Sequence, residues 1–261
     1  MTASRSESAV VILFTFVCYL LFAFKALWPS CDNDLWWHVA VGDWIVKHRQ
    51  VPHTDPFSRL SRESPHGTPW IAYSWLYEIL IAKLFRAEGL AGIALYRVAM
   101  ASFLFASLTL LLARYRPHFL VATEGLGLAI IAIMPVMTER PWLFTIVFFV
   151  WTLHTVSRMR ESEGGWEDWL LPLVYLLWAN IHIQFVYGLF VLVLACAAPA
   201  ADRLLGMDKG NAHAAKLGTP AWRRLVSLSV VCAMATLVNP YFVSLYGVVF
   251  EYATQMAPFR W

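Results

Sequence analysis

Charged residues are scarce in this chain. Asp, Glu, Lys and Arg make up 14% of its 261 residues, whereas 59% are hydrophobic and 15% are aromatic. Soluble domains carry about 25% charged residues, so this balance excludes an ordinary soluble fold and indicates a polytopic membrane protein. The net charge of +3 is small and scattered along the sequence. We therefore expect the lipid bilayer as a partner and no nucleic acid.

Cysteine is also rare. The four cysteines are Cys18, Cys31, Cys196 and Cys232, and no two of them have a close paired spacing. Three lie inside apolar runs, so we expect small buried hydrophobic side chains rather than a disulfide or zinc framework. The sequence also lacks an internal repeat, a low-complexity tract and a glycine-rich phosphate loop. Function has to be sought in single polar residues between the apolar runs.

Long apolar runs dominate what is present. The first covers residues 9–28, follows Arg5 and lacks a small-residue cleavage site, so we interpret it as a retained signal-anchor helix. Further runs cover about 90–113, 119–136, 142–156, 169–179, 185–201 and 225–238, with a last stretch from Tyr241. We predict an all-α transmembrane helix bundle that forms one domain over residues 1–261. Some runs are short for a full span, which implies tilt or burial inside the bundle. Because the chain ends soon after an apolar run without a polar tail, we expect that a C-terminal part is missing.

Basic residues are concentrated in alternate connectors. One connector contains Arg114 and Arg116, a second contains Arg158 and Arg160, and a third contains Arg203, Lys209, Lys216, Arg223 and Arg224. Short connectors that are rich in Lys and Arg face the cytoplasm, so we predict these three on the cytoplasmic side. Residues 29–89, 138–141, 180–184 and 239–240 would then lie on the extracytoplasmic side. The first and longest of these segments forms the predicted first extracytoplasmic loop.

The predicted loop 29–89 contains two stretches with helical periodicity. Residues 34–48 place a tryptophan-bearing stripe roughly opposite Asp34 and His38, and residues 70–85 separate a leucine-bearing face from Glu78. We interpret both stretches as helices that lie in the membrane interface. The alternative for the second is a short spanning helix, which would invert the orientation of every later segment.

Two acids follow the first apolar run directly. Asp32 and Asp34 are separated by one residue at the start of a predicted amphipathic helix, and His38 follows one helical turn later. A carboxylate in a partly dehydrated cleft can act as a general base or bind a divalent cation, for which Mg²⁺ and Mn²⁺ are the candidates. His38 could orient Asp34. The alternative for both acids is capping of the helix start.

Other polar residues interrupt later apolar runs. Arg140 lies in a connector poor in other cations, and a guanidinium there suits a phosphate, although a salt bridge to Glu139 or to lipid phosphate is the alternative. Asn180 and His182 lie in an apolar hairpin, where polar groups line cavities or join helices. We predict that a substrate contacts His38, Glu78, Arg140, Asn180 and His182.

An ordered set of motifs covers nearly the whole chain. It comprises Asp32-Asn33-Asp34-Leu35-Trp36-Trp37-His38, Gly42-Asp43-Trp44-Ile45, Asp55-Pro56-Phe57-Ser58, Arg140-Pro141-Trp142-Leu143-Phe144, Ala179-Asn180-Ile181-His182 and Asn239-Pro240-Tyr241. The set resembles a group of uncharacterised bacterial membrane proteins that is similar to the glycosyltransferase C (GT-C) superfamily. Members of that superfamily use polyprenyl-phosphate-linked sugars. The most specific part of the resemblance is the first motif.

The resemblance implies a fold, a reaction and a location. By that likeness the protein is an inverting glycosyltransferase in the bacterial cytoplasmic (inner) membrane, with its active site facing outside. Asp34 is the implied catalytic base, with Asp32 beside it, and the acceptor is a glycan, a lipid or a protein. The chain departs from the family pattern at Tyr73-Ser74, at Trp142 and at Ile183-Gln184. These departures bear on donor and acceptor specificity.

Two other functions fit the same residues. A non-catalytic membrane binding or transport protein for a lipid-linked glycan would use the acids and Arg140 as ligand contacts and would need no base. A redox protein would bind haem through paired histidines. The histidines show no clear pairing across facing spans, so we expect the first alternative to be the stronger rival.

Overall fold

The computed structural model describes residues 5–27, 32–115, 118–161, 165–206 and 219–254. Its α-helices are α1 (Arg5–Leu27), α2 (Asp34–His48), α3 (Arg59–Glu63), α4 (Trp75–Arg114), α5 (Phe119–Ile133), α6 (Trp142–Arg160), α7 (Leu171–Ile181), α8 (Phe185–Leu204), α9 (Thr219–Ala235) and α10 (Ser244–Thr254). Within these ranges there is no β-strand, and Thr54 and Pro69 form an isolated antiparallel bridge. The all-α prediction is therefore confirmed. The predictions for Cys31, Arg116, Lys209, Lys216 and the last residues, 255–261, lie outside the described residues.

Three of the described helices are long and apolar enough to cross a membrane. They are Trp75–Arg114, Trp142–Arg160 and Phe185–Leu204. Large apolar side chains remain exposed on helix surfaces, for example Leu110 at 64%, Leu128 at 68% and Val193 at 62%. Such exposure is unfavourable in water but natural against lipid tails. These features indicate a membrane protein.

One face of the short helix α7 is buried against neighbouring helices. Its 11 residues are too few to cross a hydrocarbon layer of about 30 Å at about 1.5 Å per residue. Tyr175 and Trp178 are fully buried, and Val174 is 6% exposed. Burial of this helix by its neighbours agrees with the expectation for the shorter apolar runs.

Helix α4 is interrupted at Gly89. This residue has φ 59° and ψ −139°, a backbone conformation that side-chain-bearing residues rarely adopt. The interruption separates the first part of α4 from the part that begins at Leu90, where the sequence predicted the next apolar run. The predicted helix 70–85 begins five residues late, at Trp75. Residues 70–72 are instead held by two hydrogen bonds: the Trp70 N–H donates to the His53 carbonyl oxygen, and the Ala72 N–H donates to the Tyr241 hydroxyl oxygen.

Helices α2 and α4 pack closely. Leu35, Val39 and Ile45 are buried on the inner face of α2, whereas Trp36 and Ala40 are exposed on the outer face. Gly42 permits the close approach, because a Cβ atom there would collide with the Glu78 carbonyl oxygen on α4. The predicted helix 34–48 is therefore present with the same bounds, and its location in the membrane interface stays a prediction.

Polar contacts are gathered at two ends of the helices. At the first end, Asp32 contacts Arg140, Trp75 contacts Asn180, and Pro52 contacts Tyr241. At the second end, Arg114 lies 2.7 Å from Glu161, Arg158 lies 3.1 Å from Glu167, and Arg224 lies 3.2 Å from Asp168. The sequence analysis predicted that the segments at the first end and the basic connectors at the second end lie on opposite sides of the membrane. The side that faces the cytoplasm stays a prediction.

Candidate functional site

A cavity of about 360 Å³ lies at the first end. Its volume is within the range of small-ligand sites, about 300–1,000 Å³. Aromatic rings and polar side chains share its lining. Its ionisable or hydroxyl-bearing residues are Asp34, His38, Tyr73, Ser74, Glu78, Arg140, His182 and Tyr252. Five of the seven residues predicted from sequence as site residues thus meet around one space. Asp32 lies behind Arg140, and Asn180 does not line the cavity.

Arg140 bridges the two acids of the first motif. Its Nε and Nη2 atoms donate to Asp32 Oδ2 and Oδ1 at 2.6 and 2.9 Å, and its Nη1 lies 2.7 Å from Asp34 Oδ2. The guanidinium holds the pKa of the Asp32 carboxyl below its usual value, and this hydrogen bonding raises the pKa of Arg140. Both groups are therefore charged at neutral pH.

The connector before α6 places Arg140. Glu139 makes a buried ion pair with Arg97 of α4 at 3.1 Å, and Arg97 also donates to the Met137 carbonyl oxygen at 3.2 Å. The guanidinium of Arg140 lies 5.0 Å from the ring centre of Trp142, within the range of a cation–π contact. The alternative was a salt bridge between Arg140 and Glu139. In the structure Glu139 pairs with Arg97, and Arg140 pairs with Asp32 and Asp34.

Asp32 also caps the start of α2. Its Oδ1 atom accepts the backbone N–H of Asp34 at 3.1 Å, and its carbonyl oxygen accepts the N–H of Leu35 at 3.0 Å. The capping role and the contact with Arg140 are therefore compatible for Asp32. Asp34 is directed to Arg140 and to the cavity instead, which leaves its carboxylate half exposed.

His38 pairs with an acid that is distant in sequence. Its Nδ1 atom lies 3.5 Å from Glu78 Oε1, so the structure does not support the predicted contact with Asp34. The physical reason is the close crossing of α2 and α4, which brings Glu78 toward the inner face of α2. Glu78 is 3% exposed, and Glu78 Oε2 and Ser74 Oγ have no hydrogen-bond partner among the described residues. Buried polar atoms of this kind require partners, which a ligand or water can supply.

The imidazole of His182 contacts Thr145, which in turn contacts Trp178. The His182 Nδ1 atom lies 2.9 Å from Thr145 Oγ1, which also accepts the Trp178 indole N–H at 2.9 Å. Burial lowers the pKa of His182 to about 4, so the imidazole is neutral at physiological pH. A neutral imidazole can exchange hydrogen bonds with the hydroxyl groups of a ligand.

Asn180 joins helices. Its Oδ1 accepts the Trp75 indole N–H at 2.9 Å, and its Nδ2 donates to the carbonyl oxygens of Leu176 and Val238 at 2.8 Å each. Both amide hydrogens and the oxygen are thus used within the protein. The structure gives Asn180 the helix-joining role that the sequence left open as its alternative, and direct contact with a substrate stays a prediction without support from this geometry.

Some lining residues were not identified from sequence. Tyr252 of α10 reaches the cavity, and its ring centre lies 6.1 Å from that of Tyr73. No sequence signal points to Tyr252, because it follows an apolar run far from every motif. Tyr73 and Ser74 were noted from sequence as departures from the family pattern and as part of the predicted second helix, but not as site residues. Trp37 and Trp70 also line the cavity and pack against each other.

The arrangement does not fit the predicted divalent cation. Arg140 occupies both oxygens of Asp32 and one oxygen of Asp34, so a cation would have to displace a guanidinium. Among the described residues no group of three or more His, Cys, Asp or Glu side chains is placed to hold a metal ion. Divalent cations of this class take six or more oxygen ligands, including waters. We therefore derive no chemistry from a metal.

A second cavity, of about 210 Å³, lies between α4, α6 and α7 toward the other end. Its lining is mostly apolar. The acids at its rim, Glu167 and Asp168, pair with Arg158, and Asp168 also pairs with Arg224. The acids at its rim are thus paired with arginines of the protein.

Comparisons with protein families, with curated proteins and with solved structures found no match for this chain. Support for a function therefore comes from the geometry of the site.

Proposed function

We propose that the protein is a membrane glycosyltransferase that moves a sugar from a polyprenyl-phosphate carrier to an acceptor hydroxyl. The observation that carries the proposal is the contact of Asp34 with Arg140, 2.7 Å apart, at a cavity of about 360 Å³. A carboxylate beside a guanidinium provides a base for the acceptor and a donor for a phosphate. The acceptor class stays open between a glycan, a lipid and a protein.

The proposed reaction assigns one task to each of the two groups. Asp34 takes the proton of the acceptor hydroxyl group. At the same time the oxygen of that hydroxyl group forms a bond to the anomeric carbon. The bond from that carbon to the phosphate oxygen breaks, and its electron pair stays with the phosphate. Attack from the opposite side inverts the anomeric carbon. Arg140 donates hydrogen bonds to the departing phosphate and stabilises its growing negative charge.

The remaining lining residues suit a sugar ring. Ser74, Glu78 and His38 supply hydrogen-bonding atoms from one wall, and His182 supplies an imidazole from another. Trp37, Trp70 and Trp142 offer flat apolar surfaces beside them. Such a mixture of a few polar groups and aromatic walls is typical of small-molecule sites. Held in this way, the sugar would present its anomeric carbon in a fixed orientation.

The cellular setting belongs to the proposal as well. We place the protein in the bacterial inner membrane with several spans and with the cavity on the outer face. The alternation of basic connectors and the apolar helices support this placement. The exposed Trp36 on α2 suits a membrane interface, where the prenyl chain of a donor would also lie.

One assay tests the transferase. The purified protein, in lipid nanodiscs, is incubated with a panel of polyprenyl-phosphate sugars and simple acceptors, and released polyprenyl phosphate is measured. We expect release with at least one sugar, and little release with the Asp34→Asn variant. The absence of release with every donor, from protein that still binds those donors, would contradict the proposal.

A second candidate is a binding or transport protein for a lipid-linked glycan. The specific observation in its favour is that Arg140 pairs with both aspartates, so that in this conformation Asp34 Oδ2 contacts a guanidinium rather than an acceptor. Such a protein would bind the donors without turnover. It would also keep its donor affinity when Asp34 is replaced by Asn.

A further inference from the structure

The two aspartates that pair with Arg140 differ in contact geometry and in exposure. Asp32 receives two hydrogen bonds along the Nε–Nη2 edge of the guanidinium, and its side chain is 10% exposed. Asp34 receives one contact from Nη1, and its side chain is 48% exposed. Bidentate and shielded ion pairs are stronger than single exposed ones. Asp34 is therefore the partner that is more easily displaced.

A different edge of Arg140, the one that Asp34 contacts, suits a phosphate. Two nitrogens, Nη1 and Nη2, form the outer fork of a guanidinium, and two oxygens of a phosphate match such a fork. Asp34 Oδ2 lies at Nη1 of this fork. Asp32 and the Trp142 ring fix the orientation of the guanidinium from the other side. A phosphate that approaches from the cavity would thus compete with Asp34 and leave Asp32 in place.

We propose that phosphate binding displaces Asp34 from Arg140, so that the carboxylate becomes a free base only when a phosphate-bearing ligand is bound. Asp32 acts as a positioning residue that holds the guanidinium during the exchange. The inference rests on the proposed function in one respect, because it takes the ligand phosphate to be that of the sugar carrier. The exchange itself needs only a phosphate ester.

The exchange has a consequence for the chemistry of Asp34. Arg140 Nη1 contacts Asp34 Oδ2 in this structure, so this oxygen is not available to a hydroxyl group. Transfer of the guanidinium to the phosphate frees the oxygen. Proton acceptance by Asp34 would then be coupled to the presence of the donor, and the protein would not activate hydroxyl groups in the absence of a donor.

Binding measurements on neighbouring acids test the exchange. The probe is farnesyl phosphate, titrated against purified protein in nanodiscs, with farnesol as the control for partition of the chain. Asp34→Asn removes the competing carboxylate, so we expect phosphate affinity to rise by about fivefold or more. Asp32→Asn removes the same charge but loosens the guanidinium, so we expect affinity no higher than in the parent. Asp43→Asn, on the same helix but paired with Arg86, is the matched charge control and should change affinity by less than about twofold.

The outcomes separate the exchange from the transferase. Equal or weaker binding by Asp34→Asn overturns the exchange, and so does an equal gain in Asp32→Asn, which would indicate simple charge repulsion. Asp34→Ser also removes the carboxylate but keeps a polar group at the helix start. If the Asn variant does not fold, the phosphate affinity of Asp34→Ser provides the same test. Tighter binding by the Asp34 variants without turnover in the parent would support the exchange and contradict the transferase. Turnover in the parent without tighter binding by the Asp34 variants would support the transferase and contradict the exchange.

Discussion

Asp34 has a half-exposed carboxylate that contacts Arg140. The N–H groups at the start of α2 are served by Asp32, whose Oδ1 accepts the N–H of Asp34. Replacing Asp34 by Asn removes a proton acceptor but keeps size and one oxygen. We therefore expect turnover to fall by about a hundredfold or more, while the folded protein is retained.

This prediction is checked by the rate of polyprenyl phosphate release together with a thermal unfolding curve. Asp32→Asn should reduce turnover less, because Asp32 acts through Arg140. A parent-like rate in Asp34→Asn would remove Asp34 from the mechanism. Loss of folded protein would instead point to a structural carboxylate.

Arg140 is expected to need its planar fork. Lysine keeps the positive charge but cannot donate along two edges at once to Asp32 and to a phosphate. We expect Arg140→Lys to lower donor affinity by about tenfold or more with normal expression, measured as a donor dissociation constant. Arg86→Lys changes an exposed pair with Asp43 outside the cavity and is the matched control. An unchanged constant in Arg140→Lys would assign Arg140 to structure alone.

His182 predicts a pH dependence of stability. Burial lowers its folded-state pKa to about 4, below the ordinary value of about 6.5. The unfolded chain therefore binds more protons between these values, so stability should decrease as the pH falls from about 6.5 to about 4. Thermal unfolding at pH 7 and pH 5 measures the effect, and His182→Gln, which keeps a partner for Thr145, should reduce the difference. An equal difference in both proteins would assign the pH dependence to other groups.

At the level of helices, the crossing of α2 and α4 forms one wall of the cavity. Gly42→Ala would force the new methyl group against the Glu78 carbonyl group and the Ala82 side chain. Overpacking of this kind costs about 1–3 kcal/mol, and it would also separate His38 from Glu78. The free energy of unfolding is the measurement.

Gly127→Ala in α5 is the matched control for this crossing. A Cβ atom at Gly127 meets nothing within 4 Å. The added methyl group should then stabilise the helix by about 0.5–1 kcal/mol through propensity alone. Destabilisation of similar size at both glycines would show that the effect at Gly42 does not come from the crossing.

Local patterns and long-range contacts differ in how well the sequence predicts them. The bounds of α2 were predictable because its apolar and polar faces alternate with a helical period and an acid starts it. The start of α4 was not, because residues 70–72 bond to His53 and to Tyr241, the latter far along the chain. Periodicity reports the face that a residue occupies, and it does not report which distant segment supplies a hydrogen bond.

The site shows the same division. Asp34, His38, Glu78, Arg140 and His182 were identifiable as polar residues beside apolar runs, and they do line one cavity. Their partners were not identifiable, because pairs such as His38 with Glu78 depend on how closely two helices cross. Tyr252 had no local signal at all. Polar interruptions therefore predicted membership of the site, whereas the pairing required the tertiary structure.

For the whole molecule, the main feature is the separation of two polar ends. The cavity and the motif residues lie at one end, and the arginine-rich connectors lie at the other. Charge bias in short connectors orients a membrane protein, with the basic end in the cytoplasm. The proposed transfer requires the opposite end to face outward, where a flipped lipid carrier and an extracellular acceptor would meet.

Surface labelling tests this orientation directly. The native cysteines are first replaced by alanine, and single cysteines are then placed at Ser64 and Val243 near the cavity end, and at Trp166 and Leu205 near the other end, all exposed positions. In intact cells we expect an impermeant maleimide to label positions 64 and 243, and to label 166 and 205 only after lysis. The contacts at each end place 64 and 243 on one side and 166 and 205 on the other. The alternation of basic connectors assigns the second pair to the cytoplasm. Labelling of 166 and 205 in intact cells, with protection of 64 and 243, would place the cavity in the cytoplasm, where Asp34 and Arg140 would have to act on a ligand from the inner leaflet.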